Sequence, residues 1–357
     1  MSKTVFVGLS GGVDSSVAAH RLLQAGYTVV GVFIKVWHPD FLVCNWEQER
    51  RDAMRVAAHL GIPFLTCDAE AAYYTDVGKY FIREYEAGRT PNPDVMCNQH
   101  VKFGAFIDFA RSHGADAIAT GHYAQVVTDT ETKRQQLLRG VDTNKDQSYF
   151  LWTLTQAQLA YTLLPVGNST KAEIRQEASA LTLPTASKKD SQGICFLGQV
   201  DIHDFLTRFI DLQPGVVYDR AGHSIGTHKG AVIYTLGQRH NFSITDPSYA
   251  GTAMYVVARD TQNNTITVDN APPVAQASTR LTLEQVNYIA LLTPQEKVSI
   301  QTRYRGEVLS ATVVETAAET MVLTLDEPTQ LPAIGQSCVL YSGEKCLGGG
   351  IIASCQY

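Results

Sequence analysis

The 357-residue chain has no run approaching the ~18 consecutive apolar residues that a membrane helix needs. Its longest early apolar run, residues 5–9, is also too short for the core of a secretory signal, so a cytoplasmic protein that does not enter membranes is expected. Excess positive charge is missing too. The 29 Lys+Arg against 35 Asp+Glu leave a formal net charge of -6, which excludes bulk attraction to nucleic acid or anionic lipid. Any RNA contact must come from a local basic face, for which Lys188-Lys189, Arg239-His240 and Arg303 to Arg305 are the candidates. The seven cysteines (Cys44, Cys67, Cys97, Cys195, Cys338, Cys346 and Cys355) are odd in number and contain no C-x-x-C pair. That fits neither a disulfide scaffold nor a zinc ribbon, and leaves each as a small buried hydrophobe or a reactive thiol. Internal repeats and low-complexity tracts are absent as well. With 45% hydrophobic and 18% charged residues, the composition is that of a folded protein of two to three domains.

What is present first is an alternation of strand and helix. Residues 4–9 read as a strand, and 14–24 place Val17, Ala18, Leu22 and Leu23 at helical spacing with Gly26 as the stop. Strands over 27–36, 64–67 and 115–120 then alternate with helices over 47–60, 69–87 and 98–113, the texture of a doubly wound parallel sheet. Residues 89–94, Arg-Thr-Pro-Asn-Pro-Asp, interrupt this as an ordered loop, because two prolines in three positions do not sit inside a helix. From about Val216 short alternating runs with Gly, Asn and Pro turns predict antiparallel β structure. After the break at Ala271-Pro272-Pro273, runs over 298–304, 309–315, 321–325, 337–341 and 346–353 suffice for a small closed barrel. The expected architecture is therefore α/β: a doubly wound parallel sheet over 1–210, a small β-containing central domain over 211–275, and a C-terminal β-barrel over 276–357.

Gly8-Leu9-Ser10-Gly11-Gly12-Val13-Asp14-Ser15-Ser16 lies between a predicted strand and a predicted helix, where an anion-binding loop belongs. Glycines let the backbone curl close to a phosphate, Ser10 and Ser15 offer hydroxyls, and the unpaired amides of a helix start point at the ligand. The lysine of G-x-x-x-x-G-K-[ST] is missing, as is the spacing of G-x-G-x-x-G, so neither a P-loop NTPase nor a dinucleotide fold is indicated. For the Gly-Gly pair alone, a plain strand-to-helix turn is the alternative. A second candidate is Asn92-Pro93-Asp94-Val95-Met96-Cys97-Asn98, with a carboxylate three residues before a thiol at a predicted helix start. The helix dipole favours the Cys97 thiolate; Asp94 opposes it and reads instead as a proton donor or acceptor toward a substrate. Cys195, in Ser191-Gln192-Gly193-Ile194-Cys195-Phe196-Leu197-Gly198, has apolar neighbours and by itself reads as a buried structural cysteine.

The Ser-Gly-Gly-Val-Asp-Ser string resembles the pyrophosphate loop of the ATP pyrophosphatases, the adenine nucleotide alpha hydrolase-like enzymes that cleave ATP between its α and β phosphates. The resemblance implies that Gly8, Leu9, Ser10, Gly11, Gly12, Val13, Asp14 and Ser15 hold the pyrophosphate and that Asp14 helps to bind Mg²⁺. With residues 90–98, Ala119-Thr120-Gly121-His122-Tyr123-Ala124, Lys145-Asp146-Gln147-Ser148-Tyr149, the Cys195 segment and Tyr234-Thr235-Leu236-Gly237-Gln238-Arg239, the chain more closely resembles the bacterial tRNA-specific 2-thiouridylases.

Those enzymes replace oxygen by sulfur at carbon 2 of the wobble uridine in certain tRNAs, after ATP has turned that oxygen into a leaving group. Membership implies Cys195 as the persulfide carrier, Cys97 as its partner thiol in a disulfide or as nucleophile, and Asp94 as general acid/base. It puts Asn92, Pro93 and Asp94 at the target base, Ile34 and Gly121 near the nucleotide, and His122, Lys145, Asp146, Gln147, Tyr304, Arg305 and Gln336 at the tRNA surface. The central domain is then tRNA-binding, the acceptors are lysine, glutamate and glutamine tRNAs, and a persulfide-carrying donor protein or cysteine desulfurase supplies sulfur. Each carry-over has a plainer rival. Lys145-Asp146-Gln147 alone reads as a solvated turn and His122 as a hydrogen-bonded residue past a strand end, while Arg303 and Arg305 would share one face of a strand. Two departures stand out: His240-Asn241-Phe242, where the family continues with basic and glycine residues, and residues 37–46, which match nothing assignable. The competing readings are another pyrophosphate-loop ligase, which would need no paired thiols, and an inactive tRNA-binding protein.

Overall fold

The computed structural model describes residues 2–41, 46–189 and 202–356. Cys44, Cys195 and Asp190 therefore lie outside the described residues. The first unit is built on β1 (Thr4–Gly8), α1 (Val13–Gln24), β2 (Thr28–Lys35), α2 (Trp46–Leu60) and β3 (Phe64–Asp68). Next come α3 (Glu70–Tyr73) and α4 (Lys79–Glu86), joined by the π-helical turn Tyr74–Gly78, so the single helix expected over 69–87 is widened in its middle. Then follow α5 (Pro93–Met96), the π-helical segment Cys97–Ala105, α6 (Phe106–Ser112) and β4 (Ala117–Ala119). A hairpin β5 (Ala124–Thr128) and β6 (Gln135–Arg139) precedes α7 (Gln156–Ala160), β7 (Thr162–Leu163) and α8 (Lys171–Ala180).

The strands order as β3-β2-β1-β4-β7, all parallel. Alternation along β1 divides its side chains between two layers. Val5 and Val7 pack with Leu22 and Val56, while Phe6 packs with Val101, Phe106 and Ile118 on the opposite face. Burying each such side chain contributes about 1.5–3 kcal/mol, which is why the sheet is apolar on both sides. The chain leaves β1 toward β2 and β3, then returns to the other side with β4. That reversal makes the crevice beyond the carboxyl ends of β1 and β4 the switch point where ligands bind in open α/β sheets.

After α9 (Ile202–Leu206), a second sheet orders β10-β9-β8-β12-β11 from β8 (Gly215–Tyr218), β9 (Ser224–His228), β10 (Phe242–Ile244), β11 (Tyr255–Asp260) and β12 (Thr265–Asp269). A short pair, β13 (Val274–Ala275) with β18 (Thr329–Gln330), flanks the third unit. That unit uses β14 (Arg280–Tyr288), β15 (Lys297–Gln301), β16 (Leu309–Thr316), β17 (Thr320–Leu325), β19 (Ser337–Ser342) and β20 (Lys345–Gln356) in the order β14-β17-β16-β15-β19-β20. Pairing of β14 with β20 closes it into a barrel. The Gly348-Gly349-Gly350 run in β20 permits close approach: a Cβ at Gly348 would lie 2.0 Å from the Asn287 carbonyl oxygen, and one at Gly349 3.0 Å from the Trp152 ring.

Two expectations are corrected, and one element was not foreseen. The helix placed from residue 98 begins at Pro93, because proline at the first helical position lacks only an N–H that has no partner there. Cys97 thus ends the first turn and is not the helix start. The strand expected to reach Tyr304 stops at Gln301, and residues 303–306 form a turn with Arg305 at φ 56° and the Gly306 amide donating to the Arg303 carbonyl at 3.0 Å, so Arg303 and Arg305 do not share a strand face. The hairpin β5–β6, which no sequence signal marked, leaves the first unit and extends the barrel sheet by pairing with β20.

Asp146 locks that junction. Its carboxylate, 8% exposed, accepts from the Gly140 and Ser148 amides, the Ser148 hydroxyl and Arg139, which stands 2.9 Å away with its guanidinium 3.6 Å from the centre of the Tyr341 ring. Removing one partner of such a pair strands the other charge. Asp146→Ala is expected to lower unfolding stability by about 3–5 kcal/mol in denaturant titrations, and a loss below about 1 kcal/mol would contradict the assignment.

Candidate nucleotide and RNA site

The loop after β1 holds its shape through its own hydroxyls. The Ser10 amide donates to Ser15 Oγ (3.3 Å), the Gly12 amide to Ser10 Oγ (3.3 Å), and Ser15 and Ser16 donate to the Gly12 carbonyl at 3.2 and 2.7 Å. Gly12 is the N-cap of α1 and has no side chain to cap it, leaving the first amides of the helix for an anion. Gly121, just past β4, closes over the loop: a Cβ there would lie 2.6 Å from the Ser15 nitrogen. Ile34, buried at the end of β2, packs beside Gly8. Burial raises the carboxyl of Glu49 on α2, whose carbonyl oxygen a Cβ on Gly11 would meet at 2.7 Å, while Lys188 opposes that shift.

Asp14 does not face the loop alone. Lys171 Nζ stands 2.7 and 2.8 Å from its two oxygens, and the Tyr123 hydroxyl donates to Oδ1 at 2.7 Å. Tyr123 in turn exchanges hydrogen bonds with Gln147, its amide donating to Oε1 at 3.0 Å and its carbonyl accepting from the Gln147 amide at 2.8 Å. Sequence reasoning missed Lys171, because it lies 157 residues from its partner and nothing near it except a helix cap marks the position.

Residues 89–94 are gripped from three sides. Gln336 donates through Nε2 to the carbonyls of Thr90 (3.0 Å) and Pro91 (3.1 Å), and the Thr90 amide donates to the Ile334 carbonyl at 2.9 Å. Thr90 and Thr235 share a hydroxyl contact of 2.8 Å, and Arg89 forks onto buried Glu84. Asn92 reaches the hydroxyl of Tyr149, which donates to the Ser337 carbonyl at 3.0 Å. In the helix that begins at Pro93, Asp94 and Cys97 stand one turn apart on one side, and the Asn98 side chain donates to the Asp94 carbonyl at 3.0 Å. Cys97 is fully buried in the same apolar cluster as Ile34 and Phe6. Burial pushes the thiols of Cys67 and Cys355 up to about 11 and that of Cys346 up to about 12, and Cys338 is also pushed up, which favours the thiol over the thiolate at all four.

The residues expected at an RNA surface divide. Lys145, Gln147, Tyr304 and Gln336 are half-buried and Arg305 is exposed, but His122 and Asp146 are buried and present no open surface. Tyr304 packs on Phe150 with ring centroids 4.4 Å apart, and Arg305 donates to the Asn144 carbonyl at 2.7 Å. Arg303 lines a cavity of about 270 Å³ with Thr90, Thr235, Gln330 and Gln336 where the three units meet. Lys188 is committed to Asp52 at 2.9 Å, whereas Arg239 and His240 are exposed. The departure at residues 240–242 has a local cause: Asn241 sits at φ 74°, its carbonyl accepts from the Tyr234 hydroxyl, and Phe242 packs on the Tyr234 ring.

This is an α/β nucleotide-binding enzyme fold of pyrophosphate-loop type, carrying two β-rich appendages that close on one loop. Family models agree: residues 3–199 match a tRNA methyl transferase HUP domain, 203–270 a tRNA methyl transferase PRC-barrel domain, and 278–352 an aminomethyltransferase beta-barrel domain. The chain is similar to the tRNA-specific 2-thiouridylase MnmA of Aeromonas hydrophila, at 44% identity over 98% of this chain and 96% of that one. It is similar also to that of Xanthomonas axonopodis pv. citri, at 45% identity over 98% and 93%. The chain belongs to the tRNA-specific 2-thiouridylase family. Its likeness to a solved 4-thiouridine synthetase bound to RNA and ATP is far weaker, with a TM-score of 0.35 and 20% identity over 55% of this chain and 46% of that one, and adds nothing to the assignment.

His122 supplies a measurable signature of the site's interior. Burial, aided by Lys102, holds its imidazole well below the usual value, and Nδ1 pairs with Thr120 Oγ1 at 2.8 Å. The unfolded chain takes up a proton below about pH 6.5 while the folded one resists, so this residue's share of stability is complete above that pH and is lost as pH falls. Between pH 6.5 and 5, the wild type is expected to lose up to about 1.4 kcal/mol per pH unit more than His122→Asn, read from denaturant midpoints. Parallel pH slopes would refute it.

Proposed function

We propose that the protein is an ATP-dependent tRNA uridine 2-sulfurtransferase acting on the wobble position. The observation that carries this reading is an uncapped phosphate loop with Ile34 beside its first residue, together with a clamped loop leading to Asp94 and to Cys97, which is buried in the same apolar cluster as Ile34. The uracil oxygen at carbon 2 is a poor leaving group. Its attack on the α-phosphorus of ATP forms an O–P bond and breaks the Pα–O–Pβ bridge, whose electron pair departs on pyrophosphate; the outer sulfur of a persulfide on Cys195 would then bond to carbon 2 as the C–O bond breaks and the oxygen leaves with AMP, and the Cys97 thiolate, bonding to the Cys195 sulfur, would break the S–S bond and leave one sulfur on carbon 2. Gly8 to Ser15 would bind the pyrophosphate through amides and hydroxyls, and Ile34 and Gly121 would bound the nucleotide. Asp14 would hold Mg²⁺. Its carboxylate stands at the loop 29% exposed, and Mg²⁺, bound through one or two carboxylates together with substrate phosphates, would take the place that Lys171 Nζ holds against it.

At the base, Asn92, Pro93 and Asp94 would meet the splayed-out uracil, with Asp94 moving the proton, and Tyr304, Arg305 and Lys145 would face the tRNA. His122, Asp146, Gln147 and Gln336 would act on the tRNA by positioning those neighbours, since each is already bonded within the protein. By family position Cys195 would carry the persulfide and Cys97 would be its partner thiol. Lysine, glutamate and glutamine tRNAs are the proposed substrates, a persulfide-carrying protein the proposed donor, and the cytoplasm the proposed site of action. Among the described residues, no helix is long and apolar enough to cross a membrane.

Unmodified tRNA incubated with protein, ATP, Mg²⁺ and a persulfide donor tests the reading by nucleoside mass spectrometry and pyrophosphate release. Wild type is expected to yield 2-thiouridine, with sulfur replacing oxygen and no methyl group gained. Cys97→Ser and Cys195→Ser are expected to release pyrophosphate but form no 2-thiouridine. Thiolation surviving both substitutions would remove the paired-thiol mechanism, and tRNA binding without pyrophosphate release would favour an inactive binding protein.

A further inference from the structure

The loop between β1 and α1 has no lysine of its own, yet a lysine is present at it in space. Lys171 opens α8 and grips both oxygens of Asp14 at 2.7 and 2.8 Å, with its ammonium 5.8 Å from the centre of the Tyr123 ring. The Lys171 side chain is 12% exposed and that of Asp14 29%, so the cation is the more enclosed partner. Its backbone is fixed as well. Thr170 and Glu173 form a reciprocal cap, and the Lys171 amide donates to Asp142 at 3.0 Å. Further along α8, Glu177 accepts a forked pair of hydrogen bonds from Arg21 of α1 at 3.0 and 2.7 Å.

The α1–α8 contact is thus tied twice. The Arg21–Glu177 tie lies at the far end of α1, and Val17 and Ala18 of α1 share a buried cluster with Ile174 and Ala178 of α8 that also holds the helices together. The Asp14–Lys171 tie lies at the phosphate end, in the first turn, where an incoming triphosphate would confront a carboxylate. A loop of amides, hydroxyls and one acid has no net positive charge to offer that anion. The enclosed ammonium supplies it, and a four-carbon stem lets it shift between neighbouring acceptors by rotamer changes alone.

We infer that Lys171 is the phosphate cation of this site: it rests on Asp14 when the loop is empty and turns to the β- and γ-phosphate oxygens when a nucleoside triphosphate enters. The inference deepens the adenylation step proposed above and rests on it. As the uracil oxygen bonds to the α-phosphorus and the Pα–O–Pβ bridge breaks, the released electron pair resides on pyrophosphate. Lys171 stabilises that anion by charge-assisted hydrogen bonds and transfers no proton.

The test is calorimetric titration of the full-length protein, without tRNA, using ATP, pyrophosphate and AMP in the presence of Mg²⁺. Wild type is compared with Lys171→Met, Lys171→Arg and Arg21→Met. A hydrogen-bonded charge contributes enough that Lys171→Met is expected to bind ATP and pyrophosphate about tenfold more weakly or worse, with AMP within about twofold of wild type. Lys171→Arg is expected to recover most of the loss, and Arg21→Met to lower the melting temperature without singling out pyrophosphate. Equal weakening of all three ligands in Lys171→Met makes the residue a helix tie and overturns the inference, as does undiminished pyrophosphate binding. A wild type that binds ATP and pyrophosphate while Lys171→Met matches it leaves the adenylation reading standing. A wild type that binds neither removes both.

Discussion

Strand β20 is the constraint on which the arrangement turns. It pairs with β19 along one edge and β14 along the other to close the barrel, and its first residues pair with β6, which belongs to the sequence segment of the nucleotide-binding unit. A strand that serves three partners cannot slide without breaking three registers, and a one-residue slip would turn every buried side chain outward. The three glycines in its middle allow it to pass between Asn287, Trp152 and Leu283. The distance between the phosphate loop and the barrel is thereby set by backbone hydrogen bonds rather than by a linker.

From that fixed spacing follows the grip on residues 89–94. The barrel reaches them with Ile334 and Gln336, the central sheet with Thr235, and Arg259 bonds the carbonyls of Gly88 and Tyr234. Arg259 is buried enough that desolvation lowers its pKa, so its guanidinium is committed to those carbonyls rather than to solvent. The irregular backbone of residues 89–92 is thus held by side chains and amides of all three units.

Legibility followed locality. The phosphate loop, the alternation of β1 and the barrel strands are written in neighbouring residues, because strand and helix periods and Gly-Gly turns are short-range properties. The start of the helix bearing Asp94 and Cys97 was misplaced, since Pro93 satisfies the rules for ending a loop and for opening a helix alike, and only tertiary context decides between them. Lys171 and the Asp146 hub were invisible for another reason: their partners lie far along the chain or are backbone amides brought near by β6. The family pattern put Asp146 and His122 at the tRNA surface, whereas both side chains are buried and hydrogen-bonded within the protein.

The β5–β6 hairpin changes what counts as a module. Cut near residue 210, the chain would look like two tidy pieces, but β6 would keep β5 and lose β20, opening a sheet edge at Leu137 and Leu138 near Trp152, with Leu137 and Trp152 both covered in the whole molecule. Such an open sheet edge flanked by apolar surface is a template for self-association. The boundary that is convenient in sequence is therefore not a seam along which the protein comes apart: the barrel covers an edge that the first unit leaves open.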